Sequence, residues 1–221
     1  TFDFPQKEFK LDEKKQLQFH GIDLSKLIAE YGAPLKFTYL PKISENINNA
    51  KTWFANAMQK HNYEGNYNYC YCTKSSHFKH VLNEALKNDI HIETSSAFDI
   101  DIVENLKVQG KITDKTFVIS NGFKRDQYVK NIGRLINSGH ENCIPIIDNY
   151  EEINLLSEEI NGNYNIGIRI ASEEEPKFEF YTSRLGIGYK NIVPFYNRDI
   201  KDNPRVTLKM LHFFINTGIR D

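Results

Sequence analysis

Cysteine is scarce and badly spaced for its structural uses. Cys70, Cys72 and Cys143 are odd in number and show neither a CxxC pair nor His/Cys ligand spacing, which argues against a disulfide framework and against a zinc site. A reducing, cytoplasmic setting is expected, with no bound metal. Long apolar runs are missing as well. None approaches the roughly 18 residues needed to cross a bilayer, and the start, TFDFPQKEF, has no basic region followed by an apolar one, so neither membrane insertion nor export has support. Charge of one sign is also absent. The 28 Lys+Arg against 29 Asp+Glu leave a formal net charge of −1, too even a balance to argue for nucleic acid, anionic lipid or a polyanionic partner. There is no internal repeat and no low-complexity tract, and the only charge run is Glu173-Glu174-Glu175. What remains is a chain of 221 residues, 40% hydrophobic and 26% charged, ordinary for a globular domain with one substantial core and a small-molecule partner.

Along the chain the first 34 residues read as a polar, irregular lead-in, with one amphipathic stretch from Leu24 to Tyr31 closed by Gly32 and Ala33-Pro34. The domain proper is expected over 35–221. Leu35 to Leu40 alternates as a strand, and Pro41 opens a long helical pattern through Ile43, Ile47, Trp53 and Met58, with Ser44 as a possible cap. Strand candidates then follow at Tyr67–Thr73, Ile90–Glu93, Thr116–Ser120, Ile144–Ile147, Tyr164–Ala171 and Val206–Ile215. The first four intervals between them carry helical periodicity, as in Phe78-Val81-Leu82-Ala85-Leu86. Strand and helix in alternation predict parallel pairing with right-handed crossovers. The fifth interval, Glu173 to Pro204, holds Pro176, Pro194, Gly186 and Gly188 and reads as an elaborated loop. The expected fold is α/β, a (β/α)8 TIM-type barrel of which about six strands are present. Two strands short of eight, the chain is expected to be the N-terminal part of something longer.

Parallel strands of a barrel bring their C-terminal ends to one mouth, where side chains that do chemistry collect. Lys74 ends the first of these strands; a lysine amine held partly out of water can form an imine with an aldehyde, although a lysine leaving a strand for solvent has the same position. Glu93 ends the next strand and either orients that amine or forms a strand-end ion pair. Asn121-Gly122 and Asp148-Asn149 end the third and fourth, and are also good turn or cap sequences. Arg169 lies inside Ile166-Gly167-Ile168-Arg169-Ile170 and points into the barrel if Ile168 and Ile170 face the helices. There it needs an anion, either Glu93 or a cofactor group. His212 and Phe214 share a face by the period of two, with Asn216, Thr217 and Gly218 as donors beyond them; a core histidine and a core aromatic are the plainer readings.

The ordered series Tyr71-Cys72-Thr73-Lys74, His91-Ile92-Glu93-Thr94-Ser95-Ser96-Ala97, Val118-Ile119-Ser120-Asn121-Gly122-Phe123-Lys124, Gly167-Ile168-Arg169-Ile170-Ala171, Ser183-Arg184-Leu185-Gly186-Ile187 and Leu211-His212-Phe213-Phe214 resembles the fold-type III pyridoxal-phosphate decarboxylases. These are the alanine-racemase-like barrels acting on ornithine, diaminopimelate, arginine or carboxynorspermidine, and the similarity is greatest to biosynthetic arginine decarboxylases. It runs from about Leu35 to the end. The resemblance implies pyridoxal 5'-phosphate as cofactor, Lys74 as the Schiff-base lysine with Glu93 beside it as the catalytic pair, and Arg169, His212, Phe214 and Thr217 as further cofactor-binding residues. Where the family commonly has His-x-His-x-Gly-Ser, this chain has Phe214 at the stacking position and Asn216-Thr217 in place of Gly-Ser.

What the resemblance implies of function is decarboxylation of a basic amino acid, foremost L-arginine to agmatine in polyamine synthesis, by a dimer-based homo-oligomer in the full-length form. A C-terminal β-domain is implied beyond this chain, so the fragment alone is expected to be inactive. The readings set against this are a non-catalytic pyridoxal-phosphate carrier on a single barrel, a non-catalytic subunit, and a decarboxylase of diaminopimelate, ornithine or carboxynorspermidine.

Overall fold

Six strands of the chain lie side by side in the order in which they occur in the sequence. They belong to a computed structural model that describes residues 8–171 and 185–214 and divides into two units after Tyr39.

The first unit is folded, where the sequence reads as irregular. Strands β1 (Phe9–Leu11), β2 (Leu17–Phe19) and β3 (Ile22–Asp23) form an antiparallel sheet. His20 and Gly21 link the last two, both at positive φ, 49° and 78°, as a tight two-residue hairpin loop requires. Helix α1 (Leu24–Tyr31) begins where the Asp23 carboxylate accepts the Ser25 and Lys26 N–H groups, and Gly32 closes it. The Phe19 ring meets Phe9, Phe37 and Tyr39 at centroid distances of 4.9, 5.5 and 5.6 Å. Strands of two or three residues are too short to show a period, which is why they are invisible in the sequence. Residues 35–40, expected as a strand, are in none; alternation without a paired neighbour does not make one.

The second unit opens with α2 (Pro41–Lys60), whose first-turn proline fits where an N–H has no partner. Ser44 is not its cap; its hydroxyl bonds the Glu84 carboxylate at 2.6 Å. Then β4 (Cys70–Cys72), α3 (Lys79–Ala85), β5 (His91–Thr94), α4 (Ala97–Val108), β6 (Val118–Ser120), α5 (Asp126–Asn137), β7 (Cys143–Ile147), α6 (Glu152–Glu159), β8 (Tyr164–Ile170), α7 (Tyr189–Phe195) and β9 (Val206–Phe213) follow. The sheet order is β4-β5-β6-β7-β8-β9, all parallel. A sheet that never reverses direction of addition winds as a barrel wall rather than as a doubly wound open sheet. The fifth interval is not merely a loop: α7 lies in it, continued by a π-helical turn, Tyr196–Ile200.

Residue parity sorts the two faces. Ile92, Val118, Cys143, Ile147, Ile166 and Ile168 pack outward against Ile100, Val103, Ile132, Leu135, Leu156 and Phe195 of the helices. Ile119, Ile144 and Ile146, with Cys70 and Met210 against them, form a separate interior cluster. Gly167 faces that interior, where a Cβ would stand 2.4 Å from the Ile146 Cδ1 and 3.2 Å from the Met210 Cβ; its missing side chain lets the neighbouring strands fill the barrel. No helix among the described residues is long and apolar enough to cross a membrane.

His140, ahead of β7, is fully buried and bonds the Thr116 carbonyl through Nε2 at 2.8 Å. Burial is the first cause holding its pKa below the ordinary 6.5, against the pull of that carbonyl. Beneath pH 6.5 the unfolded ring takes up a proton that the folded one refuses. The stability is therefore full above 6.5 and lost as pH falls toward the folded pKa, by at most about 1.4 kcal/mol per pH unit per proton. Urea unfolding from about pH 7 to about pH 5 should show this decline, and His140→Gln should flatten it. An unchanged slope in the variant would place the titration elsewhere.

Candidate active site at the barrel mouth

The C-terminal ends of the six parallel strands carry, in order, Lys74, Glu93, Asn121, Asp148, Arg169 and His212. Lys74 stands in a turn just past β4, closed by the Ser75 N–H on the Cys72 carbonyl at 3.1 Å. The lysine is exposed rather than partly desolvated. Ser75 and Ser76 do not cap α3, whose cap position is Phe78. Among the described residues Lys74 makes no ion pair with Glu93. Instead, the Glu93 Oε1 accepts from the Asn121 Nδ2 at 2.9 Å. Glu93 and Cys72 are register partners. Burial first, then the Glu93 charge, raise the pKa of the Cys72 thiol, with the Lys74 charge and the Lys74 and Ser75 N–H groups working the other way. Cys70 is pushed up to about 11 by burial and by Glu93. Both thiols therefore stay protonated near neutral pH and are poor nucleophiles.

Arg169 points inward as expected, but its anion is Asp148, at 3.7 Å from Nη1 to Oδ1, and not Glu93. The register makes this inevitable. Ile147 pairs with Ile168, so Asp148 falls beside Arg169, and Arg169 pairs in turn with His212. Asp148, Arg169 and His212 thus form one interior layer across three strands. The Phe214 ring, half exposed, lies 5.9 Å from the Arg169 Cζ. Thr217 lies outside the described residues. The described stretch that begins at residue 185 is bound to this layer by backbone: the Gly186 N–H donates to the Asp148 carbonyl at 3.1 Å and the Ile187 N–H to the Arg169 carbonyl at 2.8 Å. At φ +99°, and with a Cβ that would stand 2.8 Å from the Ala171 nitrogen, only glycine fits at 186.

Both Asp148 carboxylate oxygens and the His212 Nδ1 are buried with no hydrogen-bond partner among the described residues. Such atoms are costly unless a ligand or water meets them, and their convergence in one layer makes it the candidate site. Burial, ahead of the neighbouring charges, holds the pKa of His212 below the usual imidazole range.

Sequence reasoning missed a pair behind this layer. Lys124, 3% exposed, and Glu152, 1% exposed, meet at 3.3 Å. The Lys124 ammonium also donates to the Gly122 and Ile146 carbonyls. The Glu152 carboxylate accepts the Asp148 N–H at 2.8 Å and the Lys124 N–H at 3.2 Å. Burial drives the lysine's pKa down and the glutamate's up, and their mutual attraction opposes both. The pair ties the turn after β6 to the end of β7, so that Asn121 and Asp148 are held by one buried clamp. Lys124 stands in the quoted series, but nothing in its local sequence marks it as buried.

The chain matches no family model. It is 24% identical over 225 residues to biosynthetic arginine decarboxylase 2 of Synechocystis sp., covering 91% of this chain and 34% of that relative. The fold matches diaminopimelate decarboxylase from M. jannaschii with a TM-score of 0.76 at 15% identity, over 97% of this chain and 49% of that one. It matches lysine decarboxylase from Selenomonas ruminantium with a TM-score of 0.65 at 15% identity, over 95% and 47%. An SrLDC mutant in complex with PLP has the same fold. The chain thus spans about a third of the curated relative and about half of these solved chains. The wall of six parallel strands is an incomplete α/β barrel of the alanine-racemase-like kind, in agreement with the family that the motifs resemble.

Proposed function

We propose that the chain is the barrel portion of a pyridoxal-phosphate-dependent decarboxylase of basic amino acids, with L-arginine as the substrate and agmatine as the product in polyamine synthesis. The observation that carries this reading is the single mouth that joins an exposed strand-end lysine to a layer of carboxylate, guanidinium and imidazole in which the buried Asp148 oxygens and His212 Nδ1 make no hydrogen bond among the described residues. The name of the Synechocystis relative favours arginine among the basic amino acids. The barrel domain is read as 35–221, working as a homodimer of the longer polypeptide in the cytoplasm.

The residues present fit the cofactor. Lys74, free of ion pairs among the described residues and open to solvent, would carry its aldehyde carbon. Arg169 would face its polar edge: at 3.7 Å the contact with Asp148 is longer than a saturated charge-assisted bond, so the guanidinium keeps donors for a second anion. Phe214 would lie against the ring face, which an aromatic side chain can do by stacking although it cannot supply the imidazole's proton chemistry. Thr217 would lie near the phosphate. When bound, pyridoxal phosphate supplies the sink for the electron pair released as carbon dioxide leaves. Glu93, held by Asn121, would stand at the rim shared with Lys74 and Cys72 and orient the Lys74 amine.

Borohydride reduction of the cofactor-loaded natural polypeptide, followed by peptide mapping, should place the label on Lys74, and Lys74→Ala should take up none. A label on another lysine would overturn the assignment. Release of carbon dioxide from arginine, set against lysine and diaminopimelate, decides the substrate.

A further inference from the structure

We infer that Asn121 is a positioning residue that locks His212 in the tautomer with its proton on Nδ1, so that the barrel offers a buried ring N–H to an oxygen of the bound ligand. Asn121 springs from a backbone held on both sides. Its N–H donates to the Thr94 carbonyl at 3.0 Å. Its carbonyl accepts from the Tyr128 hydroxyl at 3.1 Å, itself 2.9 Å from the Thr94 hydroxyl.

The side-chain amide has one workable orientation. Its Oδ1 accepts the Gly122 N–H at 2.8 Å, while Nδ2 faces the Glu93 Oε1 at 2.9 Å. Turning the amide over would set oxygen against carboxylate and NH2 against N–H, two repulsions in place of two bonds. The second Nδ2 hydrogen is then directed at the His212 Nε2, 3.4 Å away. A nitrogen that accepts from an amide must present its lone pair, so the proton of the neutral ring sits on Nδ1.

Neutrality near pH 7 follows from burial, which outweighs the opposing pull of Glu93 and Asp148; Arg169 and Lys124 act with it. The Nδ1 thereby fixed as a donor is buried and without a partner among the described residues. An N–H left so is costly until an acceptor meets it. His212 is the cross-strand partner of Arg169, so two donors converge on one layer, which suits an oxygen carrying negative charge. That last step rests on the cofactor reading above; the tautomer does not.

Long-range proton–nitrogen correlation spectra of the cofactor-free chain labelled at histidine should show the His212 Nδ1 protonated and Nε2 bare; the reverse pattern overturns the inference. Asn121→Asp replaces the donor by an acceptor and should move the proton to Nε2 or charge the ring, whereas an unchanged ring would show that Asn121 does not position it. Pyridoxal phosphate titrated into the native chain should shift the Nδ1 resonance as the imine absorbance grows, and Asn121→Asp should weaken its retention by roughly tenfold. An imine band with Nδ1 unmoved removes the ligand half alone. If pyridoxal phosphate fails to bind at all, the functional reading and the ligand half fall together, while the tautomer still decides the role of Asn121.

Discussion

Lys124→Met is expected to lower the stability of the chain by about 3–5 kcal/mol, the cost of leaving one member of a buried ion pair without the other. The ammonium it removes is bonded to the Gly122 and Ile146 carbonyls and to Glu152. Methionine fills much of the same space and satisfies none of them. The Glu152 carboxylate is left fully buried with only the backbone N–H groups of residues 124 and 148 as donors. The double variant Lys124→Met/Glu152→Gln should recover part of the loss, because no charge is left to desolvate and the amide oxygen still accepts from one of those two N–H groups, which meet different oxygens of the carboxylate. Urea midpoints of the two single variants and the double one give the coupling directly. A single-variant loss below about 1 kcal/mol would mean that the pair is solvated and behaves as a surface pair.

Arg169→Leu should cost about 3 kcal/mol for a related reason, since it takes away the ion-pair partner of an Asp148 side chain that is 1% exposed. The loss should lie at the low end of the range because Arg169 is itself 13% exposed and Lys124 acts on the same carboxylate. Asp148→Asn placed on top should restore most of the stability. Arg169→Lys separates fold from function: a point charge still faces Asp148, but the planar fork of donors is gone. That variant should unfold close to the native midpoint while retaining pyridoxal phosphate at least tenfold less well, a factor equal to about 1.4 kcal/mol. If Arg169→Lys holds the cofactor as the native protein does, Arg169 is a structural cation and not part of the site.

Much of the architecture was legible because it is local. Alternation in Ile166-Gly167-Ile168-Arg169-Ile170 and a 3.6-residue period in Val81-Leu82-Ala85 are properties of a single segment, and they placed all six barrel strands and the four intervening helices. What failed was also local in cause. Strands β1 to β3 are too short to show a period. Residues 35–40 alternate but find no neighbour, and Pro194 inside α7 disguised a helix as a loop.

The candidate site divides in the same way. Lys74, Glu93, Arg169 and His212 could each be picked out as polar residues in or at the ends of apolar strands. Their partners could not. Asn121 meets Glu93 across 28 positions and His212 across 91, and Asp148 displaces Glu93 as the anion of Arg169. Sequence by itself determined which face of each strand a side chain takes, because the backbone pleat imposes a period of two on every strand. Only the tertiary structure decided which side chains share a layer, and which lysine is buried. Both follow from the register between strands, set by hydrogen bonds to neighbours far away in the chain, and a shift of that register by one residue would turn every one of these side chains to the opposite face.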